Sequence, residues 1–334
     1  MLRKSFFLPL LLIYICSAAV SSTAAAQEII PFATANQNPL VTVFGLPATA
    51  PATILAAGRT TVEFRSDIAS SCSSNSNSRE SVLLDGETYR LTLAARRGIG
   101  RNLEIGMELP YVMHRQGFLD SFIKNWHDFF GLPQGERDNI PEDQLDYRYS
   151  SNGDEEVNLT DSSQGLGDLR LTAGWQLLRQ DAPTRKSLAL RASLKLPTGD
   201  SDKLLGSGST DLALWLSGSA AGADDTVALF GSIGMLFLSN GDIIADQQNN
   251  MVGFGSIGVG WQALDSLNLK LQIDAHSAFY DDSELKELSE SAQLLIGGTL
   301  AMTEATALDI AVGEDIVVDS APDVVFHIAL RHSF

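Results

Sequence analysis

From Arg59 to its last residue, Phe334, the chain keeps one rhythm. Stretches of roughly ten residues alternate apolar and polar side chains, and turn-formers separate them. Period-two alternation means a strand with one apolar face. Twelve such stretches fall near 59–69, 87–97, 102–112, 167–178, 187–196, 210–220, 226–238, 251–263, 267–279, 290–302, 305–312 and 323–334. In the second, Tyr89, Leu91, Leu93 and Ala95 oppose Arg90, Thr92, Ala94 and Arg96. In the third, Leu103, Ile105, Met107 and Leu109 oppose Glu104, Gly106 and Glu108. The stretches between 210 and 263 are rich in Gly and Ala and fix their register least.

Alternation does not say which face is buried. Three features point to lipid on the apolar side. The stretches are long enough to span a bilayer at the usual tilt, whereas strands of soluble proteins run to about five or six residues. The polar face is densely charged with both signs, as a lumen tolerates and a lipid surface does not. The last stretch alternates Val324, Phe326, Ile328, Leu330, His332 and Phe334 to an aromatic C-terminus, which resembles the signal read by outer-membrane assembly machinery. The expected fold is all-β: a transmembrane antiparallel up-and-down β-barrel of about 12 strands. The lumen-lining candidates are Glu63, Arg65, Asp67, Arg90, Arg96, Glu104, Glu108, Asp168, Arg170, Arg191, Lys195, Lys270, Asp274, His276, Asp309, His327 and Arg331, and Phe334 is the assembly signal. Tyr89, Tyr111, Trp175, Trp261, Phe279 and Phe334 are candidates for the interfacial girdles. A soluble β protein is the alternative architecture.

The N-terminus sets the compartment. Arg3 and Lys4, an apolar run from Phe6 to Val20, and Ala24-Ala25-Ala26 form the three parts of a secretory signal peptide, residues 1–26, cleaved near Ala26. No later apolar run is long enough for a membrane helix. Cleavage leaves Cys72 as the lone cysteine, so no internal disulfide can form. Loss of Arg3 and Lys4 moves the net charge from -18 to -20, the change being their two positive charges. Such an acid chain is expected to bind no nucleic acid, because phosphates repel it.

Connections alternate in length. Those around 98–101, 180–186, 221–225, 264–266 and 303–304 are short; those at 70–86, 113–166, 197–209, 239–250, 280–289 and 313–322 are long. Short periplasmic turns and long outer loops place both termini in the periplasm. The long connections carry the acid excess, while the strands and short turns are nearly neutral. The acid loops are a solvated surface, or they enrich cations at a mouth or share divalent ions with lipopolysaccharide. Asp154-Glu155-Glu156 and Asp281-Asp282 are the candidates for weak divalent-cation binding, without the spacing of a dedicated loop.

Phe118, Phe122, Ile123, Trp126 and Phe129 recur at helical spacing, with Lys124, Asn125 and Asp128 opposite. They predict a short amphipathic helix in the long outer loop 113–166. It enters the mouth as a constriction, lies on the outer leaflet, or covers the rim. Residues 27–57 precede the barrel, 58–334, and either lie in the periplasm or thread the lumen as a plug.

Within that segment, Asn36-Gln37-Asn38-Pro39-Leu40 and Phe44-Gly45-Leu46-Pro47 resemble an uncharacterised proteobacterial outer-membrane family, domain of unknown function 3187. Gly165-Leu166-Gly167-Asp168-Leu169, Leu196-Pro197-Thr198-Gly199-Asp200 and Gly206-Ser207-Gly208-Ser209-Thr210-Asp211 are similar to that family and to outer-membrane proteins encoded with phenol meta-cleavage pathways. The resemblance implies an outer-membrane location in a Gram-negative bacterium and a barrel, but no substrate, cofactor or catalytic residue.

The functional expectation is a passive pore or small-molecule transporter. A non-conducting structural or surface-interaction barrel and a lipid-modifying enzyme are the alternatives. The enzyme needs a Ser and a His on one face, but His276-Ser277 and His332-Ser333 are adjacent and point to opposite faces. His276 near Asp274, and His327 near Arg331, read as lumenal hydrogen-bonding groups. His114 and His127 fall in the loop. Expected partners are outer-membrane lipids and lipopolysaccharide, periplasmic chaperones and the barrel assembly machinery; no cofactor, catalytic residue or metal ligand is expected.

Overall fold

The alternating stretches form a closed antiparallel barrel of twelve strands in a computed structural model. It describes residues 28–130, 137, 140–182, 184–222, 224–317 and 320–334. The expected signal peptide and its cleavage point lie outside the described residues. The strands in order are β1 (Thr60–Ser76), β2 (Glu80–Gly98), β3 (Leu103–Arg115), β4 (Asp146–Ser151), β5 (Asp154–Leu159), β6 (Ser163–Leu166), β7 (Leu169–Gln180), β8 (Lys186–Leu196), β9 (Asp211–Ala221), β10 (Val227–Leu238), β11 (Met251–Leu264), β12 (Leu267–His276), β13 (Ser291–Ala301), β14 (Thr306–Val317) and β15 (Val324–Ser333). The wall is β1-β2-β3 followed by β7 through β15. It closes where β15 pairs with β1, from Thr61↔Ser333 to Ser70↔Val324. Every wall strand thus has two partners, as backbone groups in hydrocarbon require.

The period-two pattern has the expected orientation. Phe64, Leu93, Ile105, Leu214, Ile233, Ile257, Leu271, Ile310 and Ile328 are exposed outward, and their neighbours in sequence face in. Trp175, Trp261 and Phe334 are exposed at the short-turn end, as a periplasmic girdle would be. Phe279 is not a girdle residue. β12 ends at His276, the chain turns inward, and the buried Phe279 ring stacks on Phe44 at 5.0 Å.

Two expected outer loops are largely strand. The segment 70–86 is a loop only at 77–79, because β1 and β2 continue as a paired ladder to Ser76↔Ser81. Asn77 closes the turn, its side-chain oxygen accepting the N–H groups of Arg79 and Glu80. The Ser/Asn-rich composition there looks like coil because a strand above the bilayer needs no apolar outer face. Within 113–166, the β4–β5 hairpin adds to the β2 extension through Glu80↔Ser151 to Asp85↔Asp146, and β6 adds to β3. The predicted helix is present as α2, whose range is Asp120–Phe130. Of its expected apolar face, the Trp126 side chain lies outside the described ones.

A charge placed on the outward face tests the orientation. Ile257, at mid-strand and 66% exposed, replaced by Arg should cost about 2–4 kcal/mol in reversible urea unfolding from vesicles. Ile257→Leu should cost little. Equal stability of the two variants would contradict lipid contact at this face.

Candidate functional site: a lumen filled by the N-terminal hairpin

Residues 28–57 run inside the barrel as a hairpin. The ascending limb, 28–38, leads to α1 (Pro39–Thr42), a single turn that Asn38 caps by accepting the Leu40 N–H. Pro39 suits its first position, where no donor is needed. The chain turns over Phe44-Gly45 and descends through 46–57. The limbs touch where Thr49 N–H donates to the Thr34 carbonyl and where the Thr53 hydroxyl donates to Glu28. Ala57 bridges Gly98 at the short-turn rim, just before β1 begins. Both ends of the hairpin therefore lie at the short-turn end of the barrel, and its apex lies at the end of the long connections.

The wall grips the hairpin by its main chain. Lys270 donates to the Ile30 carbonyl, Arg65 to Ala33, Arg90 to Thr42, Lys195 to Val43 and Arg191 to Pro51. Glu104 accepts the Leu55 N–H, and Asp211 accepts the Gly45 N–H at 2.7 Å. Gln272 clamps both polar atoms of the Phe32 peptide, at 2.8 and 3.2 Å, and Gln176 takes Ile54 N–H and the Ala52 carbonyl. Gly45 has no room for a side chain: a Cβ there would stand 2.7 Å from the Asp211 Cβ. Asn36 donates to the His276 ring and to the Ser320 carbonyl, so the Asn-Gln-Asn-Pro-Leu motif reads two outer connections at once.

The lumenal charges form connected pairs. One arc runs Lys270–Asp309–Arg331–Glu63–Arg65–Glu108–Arg170, across β12, β14, β15, β1, β3 and β7, at separations between 2.6 and 3.8 Å. Nearer the short-turn end, Glu104 holds Arg96 and Arg191 at 3.2 and 2.9 Å. Lys195 sits between Asp168 at 2.6 Å and Asp211 at 3.2 Å. This last cluster is where the glycine-rich motifs meet. Asp168 also accepts the N–H groups of Thr198 and Gly199, and Ser207 and Ser209 link Lys195 to Asp211. The opposite arc is uncharged: β10 and β11 contain no Asp, Glu, Lys or Arg, and present Phe230, Ser232, Phe254 and Ser256 inward.

The seventeen lumen candidates named from the sequence are buried, except Arg90, Arg96, Glu108 and Asp274, which are half-buried on the same inner face. Two partners differ from expectation. His327 contacts Asp67 at 2.7 Å rather than Arg331. His276 meets Asn36 and the Ser277 carbonyl rather than Asp274, which is hydrogen-bonded by Gln272 and Thr49. The candidates named from the sequence omit Gln176, Asp211 and Trp215 as lumenal groups, and Gln272 although it shares the polar face of its strand. Gln272 is in phase with Lys270 and Asp274, and that phase was its only signal. Gln176 is set by a bulge between Gln176 and Leu178, which alternation alone cannot show.

Above the hairpin apex lies an apolar core that a plain channel would lack. Leu40, Val41, Val43, Phe44 and Leu46 bury against Leu84, Tyr147 and Tyr149 of the β2–β4–β5 extension, and against Leu204, Ile243, Ile244, Phe279, Tyr280, Leu285 and Leu288 of the outer loops. The gaps left beside the hairpin have volumes of only about 20, 30 and 40 Å³, room for one to a few waters each. The lumen is therefore closed in this conformation. Among the described residues, no group of His, Cys, Asp and Glu is placed to hold a metal, and no Ser hydroxyl hydrogen-bonds a His ring.

The model of the family described as Protein of unknown function (DUF3187) matches residues 7–334. No curated protein matches the sequence. Among solved structures, an outer membrane channel from Pseudomonas putida F1 is similar with a TM-score of 0.56 and 15% identity, covering 84% of this chain and 97% of its own. At that identity the likeness concerns the fold, which is the barrel described above. The toluene transporter TbuX of Ralstonia pickettii is more distant, at a TM-score of 0.39 and 11% identity, covering 93% and 97%.

The Lys195 cluster should be the most sensitive point of the wall. Lys195→Met leaves Asp168 and Asp211 buried together, and breaking such a group costs about 3–5 kcal/mol. Urea unfolding of folded barrels should show this loss. Lys203→Met, on the exposed pair with Asp200, should change stability by less than about 1 kcal/mol.

Proposed function

The chain belongs to this family of proteins of unknown function, and we propose that it is an outer-membrane pore for small solutes, closed at rest by its own N-terminal hairpin. The observation that carries this reading is the hairpin's mode of attachment. It fills the lumen without joining the wall ladder beyond the single Ala57–Gly98 bridge. Most of its polar contacts join a wall side chain to its main chain, each worth about 0.5–1.5 kcal/mol net, or about 1.5–3 where the wall group is charged, because water offers the same bonds. Its limbs can thus exchange wall for water, while the covalent tether at β1 keeps it in reach.

The wall is suited to remain intact when the hairpin leaves. The charges that face the lumen pair mainly with each other across strands, so withdrawal strips few ions of their partners. Glu63, Asp67, Glu104, Glu108, Asp168, Asp211, Asp274 and Asp309 balance Arg65, Arg90, Arg96, Arg170, Arg191, Lys195, Lys270 and Arg331 in number. A balanced, self-paired lining favours neither ion sign, so the open pore should discriminate by size and polarity. The resistance to opening resides at the apex, where the apolar core must separate. Secretion through a signal peptide cleaved near Ala26, and an outer-membrane location, belong to the same reading.

A structural barrel that never opens is the second reading, favoured by the burial of Phe44 and its neighbours. A lipid-modifying enzyme has less support. His114, which lies on β3 rather than in a loop and is bonded to the Thr88 hydroxyl, is fully buried beside Tyr147 and cannot meet substrate.

Planar-bilayer recording decides between pore and closed barrel. The pair Gly45→Cys and Asp211→Cys brings two Cβ atoms close enough for a disulfide after a shift of about 1 Å. Oxidised, this variant should be silent. Reduced, it should conduct, as should a chain lacking residues 28–57, with a reversal potential near zero in a KCl gradient. Silence of the reduced variant and of the shortened chain, both folded by heat-dependent gel mobility, would sink the pore reading.

A further inference from the structure

The connection that carries α2 does not enter the barrel mouth. It folds down over the outside of the wall. Leu119 and Ile123 bury against Val324, with Ile68, Val312 and Phe326 packed around them. These residues lie on the outward faces of β1, β14 and β15, since their neighbours Asp67, Ala311 and His327 are buried on the inner face. The Phe122 ring lies 6.0 Å from that of Phe326. α2 therefore crosses the seam where the first and last strands close the barrel.

Polar contacts hold it at that seam. Glu87, on the outer side of β2, accepts the backbone N–H groups of Phe118 and Leu119, both at 2.6 Å, just before the helix starts. A negative charge is favourable at that end of a helix. Gly117 is left-handed at φ 83°, and a Cβ there would overlap the Glu87 carboxylate, so the approach requires glycine. Arg137 joins Asp120 of α2 to Asp323 beside β15 and donates to Ser70 of β1 at 2.9 Å.

The height of this contact is fixed by the strand. Phe326 of β15 stands eight residues before Phe334, which directly follows that strand. At about 3.3 Å per residue and a tilt near 40°, that raises it ~20 Å above the periplasmic girdle, inside an apolar band ~25 Å tall. The helix thus occupies wall that would otherwise meet the outer part of the lipid. Apolar side chains at the helix stay exposed: Phe118, just before it, is 66% exposed and Phe129 81%, while Phe122, beside Phe326, is 49% exposed. They continue the lipid-facing surface formed by Phe64, Ile310 and Ile328.

We propose that α2 is an in-plane membrane helix whose phenylalanines are solvated by outer-leaflet acyl chains over the β1–β15 seam. One face of the helix covers the seam, and the other is inserted among lipid chains. The polar clamp to Glu87, Ser70 and Asp323 sets its depth. Interfacial helices of this kind bury their apolar face about 5–10 Å below the headgroups.

Site-directed spin labelling of the full chain tests this, with Cys16 and Cys72 replaced by serine. Phe129→Cys carries a nitroxide in one sample and Phe118→Cys in a second, each reconstituted into phosphatidylcholine–phosphatidylglycerol vesicles. Oxygen should collide with both labels several-fold more often than a water-soluble nickel chelate does. The order should reverse for a label at Arg101→Cys in a short turn. Collision rates at 129 and 118 like those at 101 would overturn the proposal. Shielding of both labels from both reagents would overturn it too, because protein rather than lipid would then cover the helix.

Discussion

The pairing of β15 with β1 is the interaction on which the rest of the molecule depends. In hydrocarbon an unpaired edge leaves a row of N–H and C=O groups without partners, at several kcal/mol each. Closure removes that edge, and it dictates which way every other residue faces. Once Thr61 stands opposite Ser333, Glu63 must stand opposite Arg331 and Asp67 opposite His327, all on the inner face. The charge arc across β12, β14, β15, β1, β3 and β7 follows from that register, because a slip of one residue would turn every one of those ions toward lipid.

A wall of this size encloses more volume than its own side chains fill. The hairpin resolves that. Its main chain satisfies wall groups that would otherwise face an empty lumen, and its small residues, Ala33, Ala35, Ala48 and Ala50, let the limbs lie close to the wall. At the outer end the logic changes. There β2 extends beyond the bilayer with the β4–β5 hairpin added to it, and their inner faces carry Leu84, Tyr147 and Tyr149, so the apex of the hairpin completes a core of the kind a soluble protein has. The molecule is held shut by burial at one end and by exchangeable hydrogen bonds along the rest.

The outer loops serve this core and the rim rather than forming free surface. Glu80 is bonded by Tyr149, Gln247 and Ser283, which ties the β1–β2 extension to two outer connections. The Asp168–Lys195–Asp211 cluster anchors a third connection beneath Gly45. Acidic composition in these loops thus has two components: carboxylates such as Glu80 and Asp168 that organise buried polar contacts, and exposed ones such as Asp154 and Glu155 that face water.

Alternation, strand length and the charged inner face determined the barrel, its strand number and most of the lumenal ions, Asp211 excepted, because each depends only on the two-residue repeat along one strand. Which lumenal groups would touch, as His327 with Asp67 does, depended on the register between strands distant in the chain. That Ser70–Ser76 is strand and not loop was hidden for a related reason: above the bilayer no apolar face is needed, so the repeat that marks a strand disappears. Only the tertiary structure decided where residues 28–57 lie and which way α2 faces. A hairpin rich in Ala, Thr and Pro has no face of its own to reveal its partner. An amphipathic helix shows that it needs an apolar surface but not whether that surface is a mouth, a wall or a membrane.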